Sequence, residues 1–437
     1  MLLSRVPIAI SLIMLATFCI VVHSAEKTDA PSDDVKSFRK STLLQRFDLD
    51  QDGELTSAER KKLHAAFGGI AVPMLPDVTM RYTLRPPNVS EAELRKLDNS
   101  PDSNPLTDAG ATLGRVLFYD RQLSKNNTIA CASCHLQERA FADPKRLSTG
   151  FKGGQTGRNA MALFNLRYTV IRGQRPGFFW DERAETLEDQ VLMPIQDPVE
   201  MGMKLPELVV RLQALPYYQQ LFTSAFGTAD VTSDRIAKAI AQFMRGMLSF
   251  DSKYDRAMAV GNGSFSDDFA AFTPQENLGK SLFIDGVGGI GEIGCALCHI
   301  PPTFGMPRAF NNGLDPKYAD KGVGARDVPS NDLFTPSNDG KFKSSPLRNI
   351  ALTAPYMHDG RFKTLEEVIE HYSDGVHPHV NLGLAFAEDA ESTRKKTSGF
   401  ALTREQKSAL IAFLNTLTDE KFIADSRFSN PFVRLED

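Results

Sequence analysis

Apolar residues recur at helical spacing through most of this chain. Ile236, Ile240, Phe243, Met244 and Met247 make one face, and Leu410, Phe413, Leu414 and Leu417 make another. Leu365, Val368, Ile369 and Tyr372 fall at i, i+3, i+4 and i+7, which predicts a helix with one inward stripe. That spacing puts Tyr372 on the buried side and turns His371 about 100° away, toward the glutamates. Start signals agree with the periodicity. Thr273, Pro274 and Glu276 fit the N-cap, N1 and N3 positions of one helix, and Thr364 with Glu367 makes a capping box for another. Alternating patterns are short and scattered, so the expected fold is mainly α.

The pattern also repeats. Leu113-Gly114-Arg115-Val116-Leu117-Phe118-Tyr119-Asp120 is matched by Leu278-Gly279-Lys280-Ser281-Leu282-Phe283-Ile284-Asp285. Gly114 lies 17 positions before Cys131, and Gly279 lies 16 before Cys295. Two units built on one plan by internal duplication follow, expected at 105–260 and 261–437.

Ahead of them the pattern changes twice. Arg5 is followed by an apolar run from Pro7 to Val22 and then by the small residues Ser24 and Ala25. A charge, a short apolar core and a small-residue exit predict a cleaved secretory signal over 1–25 and an address outside the cytoplasm, the periplasm. The run is short for a membrane span, and nothing later resembles one, so an integral membrane protein is not expected. Leu43, Leu44 and Phe47, then Leu63 and Phe67, flank the loop Asp48-Leu49-Asp50-Gln51-Asp52-Gly53-Glu54-Leu55-Thr56-Ser57-Ala58-Glu59. Acidic residues at Asp48, Asp50, Asp52 and Glu54, a turn at Gly53 and a closing carboxylate at Glu59 make the EF-hand pattern for Ca²⁺, a small unit over 35–70. Pro73, Pro76, Pro86 and Pro87 mark a linker over 71–104.

Composition adds little. With 437 residues, 42% hydrophobic and 24% charged, and a net charge of −4, the chain reads as globular with no electrostatic case for nucleic acid.

The chemistry lies in the cysteines. Four of five fall in Cys131-Ala132-Ser133-Cys134-His135 and Cys295-Ala296-Leu297-Cys298-His299. Cys-x-x-Cys-His is the attachment signature of c-type haem: two thiols for thioether links and a histidine for the iron. A zinc site would need two pairs 164 residues apart and would leave both histidines unexplained. A redox dithiol predicts no second copy. The cofactors expected are therefore two covalent haems, bound through Cys131, Cys134, His135, Cys295, Cys298 and His299. No histidine lies between His135 and His299, which leaves the first haem with an open position unless the second unit reaches across.

From about residue 105 to 420 the chain resembles the bacterial di-haem cytochrome c peroxidase superfamily. The resemblance rests on both haem motifs and on Pro355-Tyr356-Met357-His358-Asp359-Gly360. In that family the second haem's far ligand sits 14 residues after the histidine of this segment, which here is Tyr372. Ordinary members carry methionine there and the MauG-like branch tyrosine; His371 or Met357 on the iron remains the alternative. Members that need reductive activation carry a removable distal histidine in Ser-Thr-Gly-His. This chain has Ser148-Thr149-Gly150-Phe151, and phenylalanine cannot bind iron.

The resemblance further implies Trp180 as an electron relay between the haems and Glu200 over the open iron, with Gln190 on the same water network. Asn159, Thr353 and Pro355 match positions that hold a calcium between the domains. The implied activity is reduction of hydrogen peroxide, with electrons from a small c-type cytochrome or cupredoxin. A MauG-like oxidant that modifies a partner protein is one alternative, and a di-haem electron carrier with two six-coordinate irons is the other.

Overall fold

The computed structural model describes residues 72–73, 75, 80–83 and 91–433, except 171–172, 174–176, 261–264, 288–293, 330–334, 384–385 and 387–398. The expected signal over 1–25 and the EF-hand unit over 35–70, with Asp48, Asp50, Asp52, Glu54 and Glu59, lie outside the described residues.

The described chain is mainly helical. Strand β1 (Val72–Pro73) and helix α1 (Glu91–Leu97) lead into α2 (Asp108–Tyr119), α3 (Leu187–Gln196), α4 (Leu205–Gln213), α5 (Pro216–Phe226) and α6 (Ser233–Gly246). The second half carries α7 (Lys253–Val260), α8 (Pro274–Asp285), β2 (Ala309–Phe310), β3 (Phe342–Lys343), α9 (Leu365–Glu370), α10 (Arg404–Asn415), α11 (Glu420–Ala424) and β4 (Phe432–Val433). The strands form two antiparallel two-stranded pairs, β1 with β4 and β2 with β3.

Threonines open the principal helices. Thr107, Thr186 and Thr232 cap α2, α3 and α6 through their side chains, and Thr273, Thr364 and Thr403 form capping boxes on α8, α9 and α10. Each hydroxyl satisfies a backbone N–H that the first helical turn leaves without a partner.

The duplication is visible in the packing. Helix α2 lies on α6 as α8 lies on α10, and both pairs close on a glycine. A Cβ built on Gly114 would stand 1.9 Å from the Ala239 carbonyl oxygen; one on Gly279 would stand 1.9 Å from that of Ala409. Phe243 and Phe413 pack beside these contacts. Backbone-to-backbone approach this close excludes any side chain. Two apolar cores result, the first around Leu113, Val116, Phe118, Ile240 and Phe243, the second around Phe283, Phe304, Leu410, Phe413 and Leu417. Every residue of the two expected faces at 236–247 and 410–417 is buried.

One expectation needs correction. Helix α9 ends at Glu370 and widens into a single π turn over His371–Gly375. The wider turn brings both side chains inside: His371 is 6% exposed, and Tyr372 is half-buried. His371 is not turned toward solvent with the glutamates, because the regular 100° step stops one residue before it.

The second half also reaches back to the first. Phe422 and Phe428 belong to the first core, although they follow the last long helix of the second.

Candidate functional site

Each Cys-x-x-Cys-His motif forms a short 3₁₀ turn, Cys131–Ser133 and Cys295–Leu297, after which the histidine amide donates to the carbonyl of the first cysteine at 3.0 Å. The imidazoles are fixed from behind. His135 donates through Nδ1 to the Phe141 carbonyl at 2.9 Å; His299 faces the Phe304 and Ser345 carbonyls, each at 3.1 Å. Phe141 and Phe304 supply these oxygens from the left-handed region, at φ 60° and 56°. With Nδ1 engaged, Nε2 is the nitrogen free to bind iron. Burial holds both imidazoles below their ordinary range, His299 at about 4, so both are neutral and carry the lone pair a metal needs.

The four thiols are neutral in this structure. Burial pushes Cys131 and Cys298 up to about 12, and Cys134 and Cys295 to about 11. Cys131 packs on the first core and Cys295 on the second, so the pairs do not converge on one zinc. Among the described residues no cluster of three His, Cys, Asp or Glu could hold a metal ion.

The first motif faces a partly open cavity. Its walls include Cys131, Cys134, His135, Gln190 and Glu200, with apolar surface from Phe118, Leu163, Val191 and Ile240. Two thiols, a neutral imidazole and an apolar lining fit a haem.

Gln190 comes from α3 and Glu200 from the turn that follows it. Asp197 shapes that turn by accepting the Val199 and Glu200 amides at 2.8 and 2.9 Å. Across the cavity the 148–151 loop zips onto it: the Phe151 amide donates to the Glu200 carbonyl at 2.9 Å. The Phe151 ring lies on Gly202, while Ser148, Thr149 and Gly150 line the cavity. His135 is the one imidazole in the lining. Burial pushes the Glu200 carboxyl up to about 7, Asp197 adds to this, and Arg183 opposes it.

Trp180 stands between the two halves. Its indole N–H donates to the Asn159 carbonyl at 2.8 Å, and its own carbonyl accepts the Lys343 amide of β3 at 2.8 Å. The Asn159 amide donates to the His358 carbonyl at 2.8 Å, three residues beyond Pro355. Asn159 Nδ2 is held by the Lys145 and Arg146 carbonyls at 3.2 Å each. Thr353 donates its hydroxyl to the Ile350 carbonyl at 3.3 Å, and Pro355 is buried.

Around the second motif one residue joins several others. Asn312 Nδ2 donates to the Tyr372 hydroxyl at 3.1 Å and lies 3.6 Å from the Met357 sulfur; its carbonyl accepts His371 Nε2 at 3.1 Å. His371 thus has its Nε2 engaged, whereas the Tyr372 oxygen accepts one bond. Burial pushes Tyr372 up to about 12; Asn312 opposes this, and the Cys298 and Cys295 sulfurs nearby add to it. Asn312 escaped the sequence reading, because Asn311-Asn312-Gly313 carries only a turn signal. The half-buried Glu182, two residues after Trp180, was given no role in it either. Burial raises its carboxyl against the opposing charges of Lys343, Arg326 and Arg308, and its Oε1 has no hydrogen-bond partner.

A helical chain that aims two thiols and a backbone-anchored imidazole from each of two cores is built as a di-haem c-type protein. Residues 108–262 match the family model described as di-haem cytochrome c peroxidase. The chain is 33% identical over 318 residues to methylamine utilization protein MauG of Methylophilus methylotrophus, covering 73% of this chain and 85% of that one. It is 32% identical over 315 residues to cytochrome c551 peroxidase of Nitrosomonas europaea, covering 71% and 80%. A crystal structure of a MauG-like protein associated with microbial copper homeostasis superposes with a TM-score of 0.59 at 37% identity, covering 76% of this chain and 96% of that chain. The chain belongs to the di-haem cytochrome c peroxidase and MauG family, whose members are haem oxidoreductases.

Proposed function

We propose that this chain is a periplasmic di-haem peroxidase that reduces hydrogen peroxide at the His135 site and is supplied with electrons through the His299 site. One observation carries the reading: the Glu200 carboxyl, poised at about 7, shares a cavity with His135 and with no other imidazole. When bound, the haems would supply the iron that takes peroxide and the electrons that reduce it; the chain's own residues do the rest.

Glu200 takes a proton from the inner peroxide oxygen and returns one to the outer oxygen as it leaves, a task suited to a group that titrates near neutrality. Gln190, half-buried on the same wall, holds the water between them. Two protons and two electrons convert one peroxide to two waters. Trp180 carries electrons across, being hydrogen-bonded to Asn159 on one side and to β3 on the other. Tyr372 would hold the iron of the second haem through its oxygen, which Asn312 orients, and the engagement of His371 with the Asn312 carbonyl supports this choice. The Asp48–Glu59 loop takes calcium. Asn159 Oδ1 with carbonyl oxygens of Thr353 and Pro355 would hold a second calcium. The donor is a small c-type cytochrome or cupredoxin.

A MauG-like role, oxidation of residues in a partner protein, is favoured by one specific feature. A phenolate at Tyr372 stabilises high oxidation states and lowers the potential against small electron donors. Trp180 as the chain's one tryptophan counts against it, since no second indole offers a surface exit.

The test is one equivalent of peroxide added to the ferric, calcium-loaded protein with no reductant, followed in the Soret and near-infrared. An immediate oxidised spectrum spread over both haems supports the open first site and Tyr372. Reaction only after one-electron reduction would overturn that assignment, and silence in both states would leave an electron carrier. Turnover with a reduced small cytochrome separates the peroxidase from the MauG-like oxidant.

A further inference from the structure

We propose that the C-terminal segment Asp419–Val433 is a positioning element for the His135 imidazole, so that the second half of the chain sets the proximal side of the first haem. The inference rests on haem attachment at His135 and is independent of the roles given to Glu200 and Tyr372.

The segment leaves the second core at Leu417, whose carbonyl accepts the Asn349 amide at 3.0 Å. Asp419 then fixes its direction. The Asp419 amide donates to Asn349 Oδ1 at 2.8 Å, and its Oδ2 accepts the Ser249 hydroxyl and the Asp251 amide, both at 3.0 Å. From there the chain runs beneath the first motif. Gln137, two residues past His135, donates to the Asp425 carbonyl at 2.8 Å. Tyr119 donates to the Phe428 carbonyl at 2.6 Å, Tyr82 to that of Arg427 at 2.8 Å, and Arg115 to that of Ser429 at 2.7 Å.

The decisive contact is with Phe141, whose carbonyl orients His135. Phe141 is fully buried in the left-handed region, a conformation a bulky residue holds only when its surroundings impose it. Its ring meets Phe118 at 5.9 Å from its own half, and Phe422 at 5.7 Å and Phe428 at 6.5 Å from the segment, all edge to face. The duplication breaks here. Phe304, the counterpart behind His299, packs on Tyr254, Phe283 and Phe413, all within the second core. Among the described residues only the first site takes ring contacts on its backing from the far end of the chain. Removing that backing lets the Phe141 carbonyl drift, and the imidazole follows it.

The experiment uses the di-haem protein and reads the Fe–His stretching band of the ferrous first haem by resonance Raman, with unfolding followed in parallel. Phe428→Ala and Gln137→Ala should each shift or broaden that band and slow the reaction with peroxide by roughly tenfold, since small misplacements at a reacting centre cost that much or more. Phe428→Leu should restore most of the wild-type band. Phe269→Ala, an equal loss in the second core, should lower stability and leave the band in place. An unmoved band in folded Phe428→Ala and Gln137→Ala protein would overturn the proposal, and the segment would then only close the fold. Should Phe428→Ala not fold, Gln137→Ala decides alone, because it removes one hydrogen bond and no core volume. Undiminished peroxide reactivity in Glu200→Gln, with its band unmoved, would count against the Glu200 reading and not against this one.

Discussion

Trp180 donates its indole N–H to the Asn159 carbonyl oxygen, 2.8 Å away, and both of these first-half residues are bonded to the second half through their backbones. The Asn159 amide in turn reaches His358, and the Trp180 carbonyl takes the Lys343 amide. A relay needs a fixed ring between donor and acceptor, and these three bonds supply one. Trp180→Phe keeps an aromatic ring but loses the donor and the easily oxidised indole. Stopped-flow spectra should show the first haem reacting with peroxide at close to the wild-type rate while the response of the second slows by tenfold or more, a barrier increase of about 1.4 kcal/mol or above. Equal rates at both haems would remove Trp180 from the path.

In the proposed role, Glu200 gives the reaction its pH dependence. Its carboxyl is pushed up to about 7, chiefly by burial, and it must be ionised to accept the peroxide proton. The rate should therefore fall as pH drops through about 7, and Glu200→Gln should lose roughly 10²–10⁴-fold with the pH step gone. Stability moves the other way. A carboxyl raised in the folded state favours folding below its unfolded pKa, and that advantage is lost as pH rises through the folded value. At pH 8 Glu200→Gln should thus be more stable than wild type, by about 1–3 kcal/mol. A slow and simultaneously destabilised variant would point to a structural role.

Much of this was legible beforehand, for local reasons. Cys131, Cys134 and His135, like Cys295, Cys298 and His299, are adjacent in sequence because one turn must present all three groups. Gly114 and Gly279 could be read as equivalents from their flanking residues alone. The Thr273 and Thr364 caps are likewise short-range. The π turn at His371 was not legible, since its cause is tertiary: the Asn312 carbonyl draws in the His371 ring from 59 residues away. Nor was the backing of Phe141 by Phe422 and Phe428, as their spacing only says that they are buried. Asn312 acts through part-buried polar contacts, and Glu182 holds a buried oxygen without a partner; neither leaves a periodic trace.

Tyr372 carries the electron-transfer prediction. Its oxygen accepts from Asn312 at 3.1 Å beside the second thiol pair. A phenolate ligand holds the iron at low potential, and a thioether raises it. Tyr372→Met should move the second haem's midpoint upward in a spectroelectrochemical titration and make the protein easier for a small cytochrome to reduce. An unchanged midpoint would mean that another group holds that position.

The two helix crossings give the sharpest test of the duplicated plan. Alanine is the better helix former by about 1 kcal/mol, so Gly→Ala within α2 or α8 should stabilise if nothing stood close. Here a Cβ would lie 1.9 Å from a backbone carbonyl in either helix, the oxygen of Ala239 or of Ala409. Backbone cannot swing aside as a flexible side chain can, so the helices must part and loosen Phe243 or Phe413 behind them. Overpacking of this kind costs about 1–3 kcal/mol or more, which outweighs the propensity gain. Gly114→Ala and Gly279→Ala should both destabilise. Urea unfolding read at the haem bands should place the first loss at the His135 site and the second at the His299 site. Stabilisation of either variant would mean that the helix pair is looser than these contacts require, and the close approach would no longer explain the shared glycine.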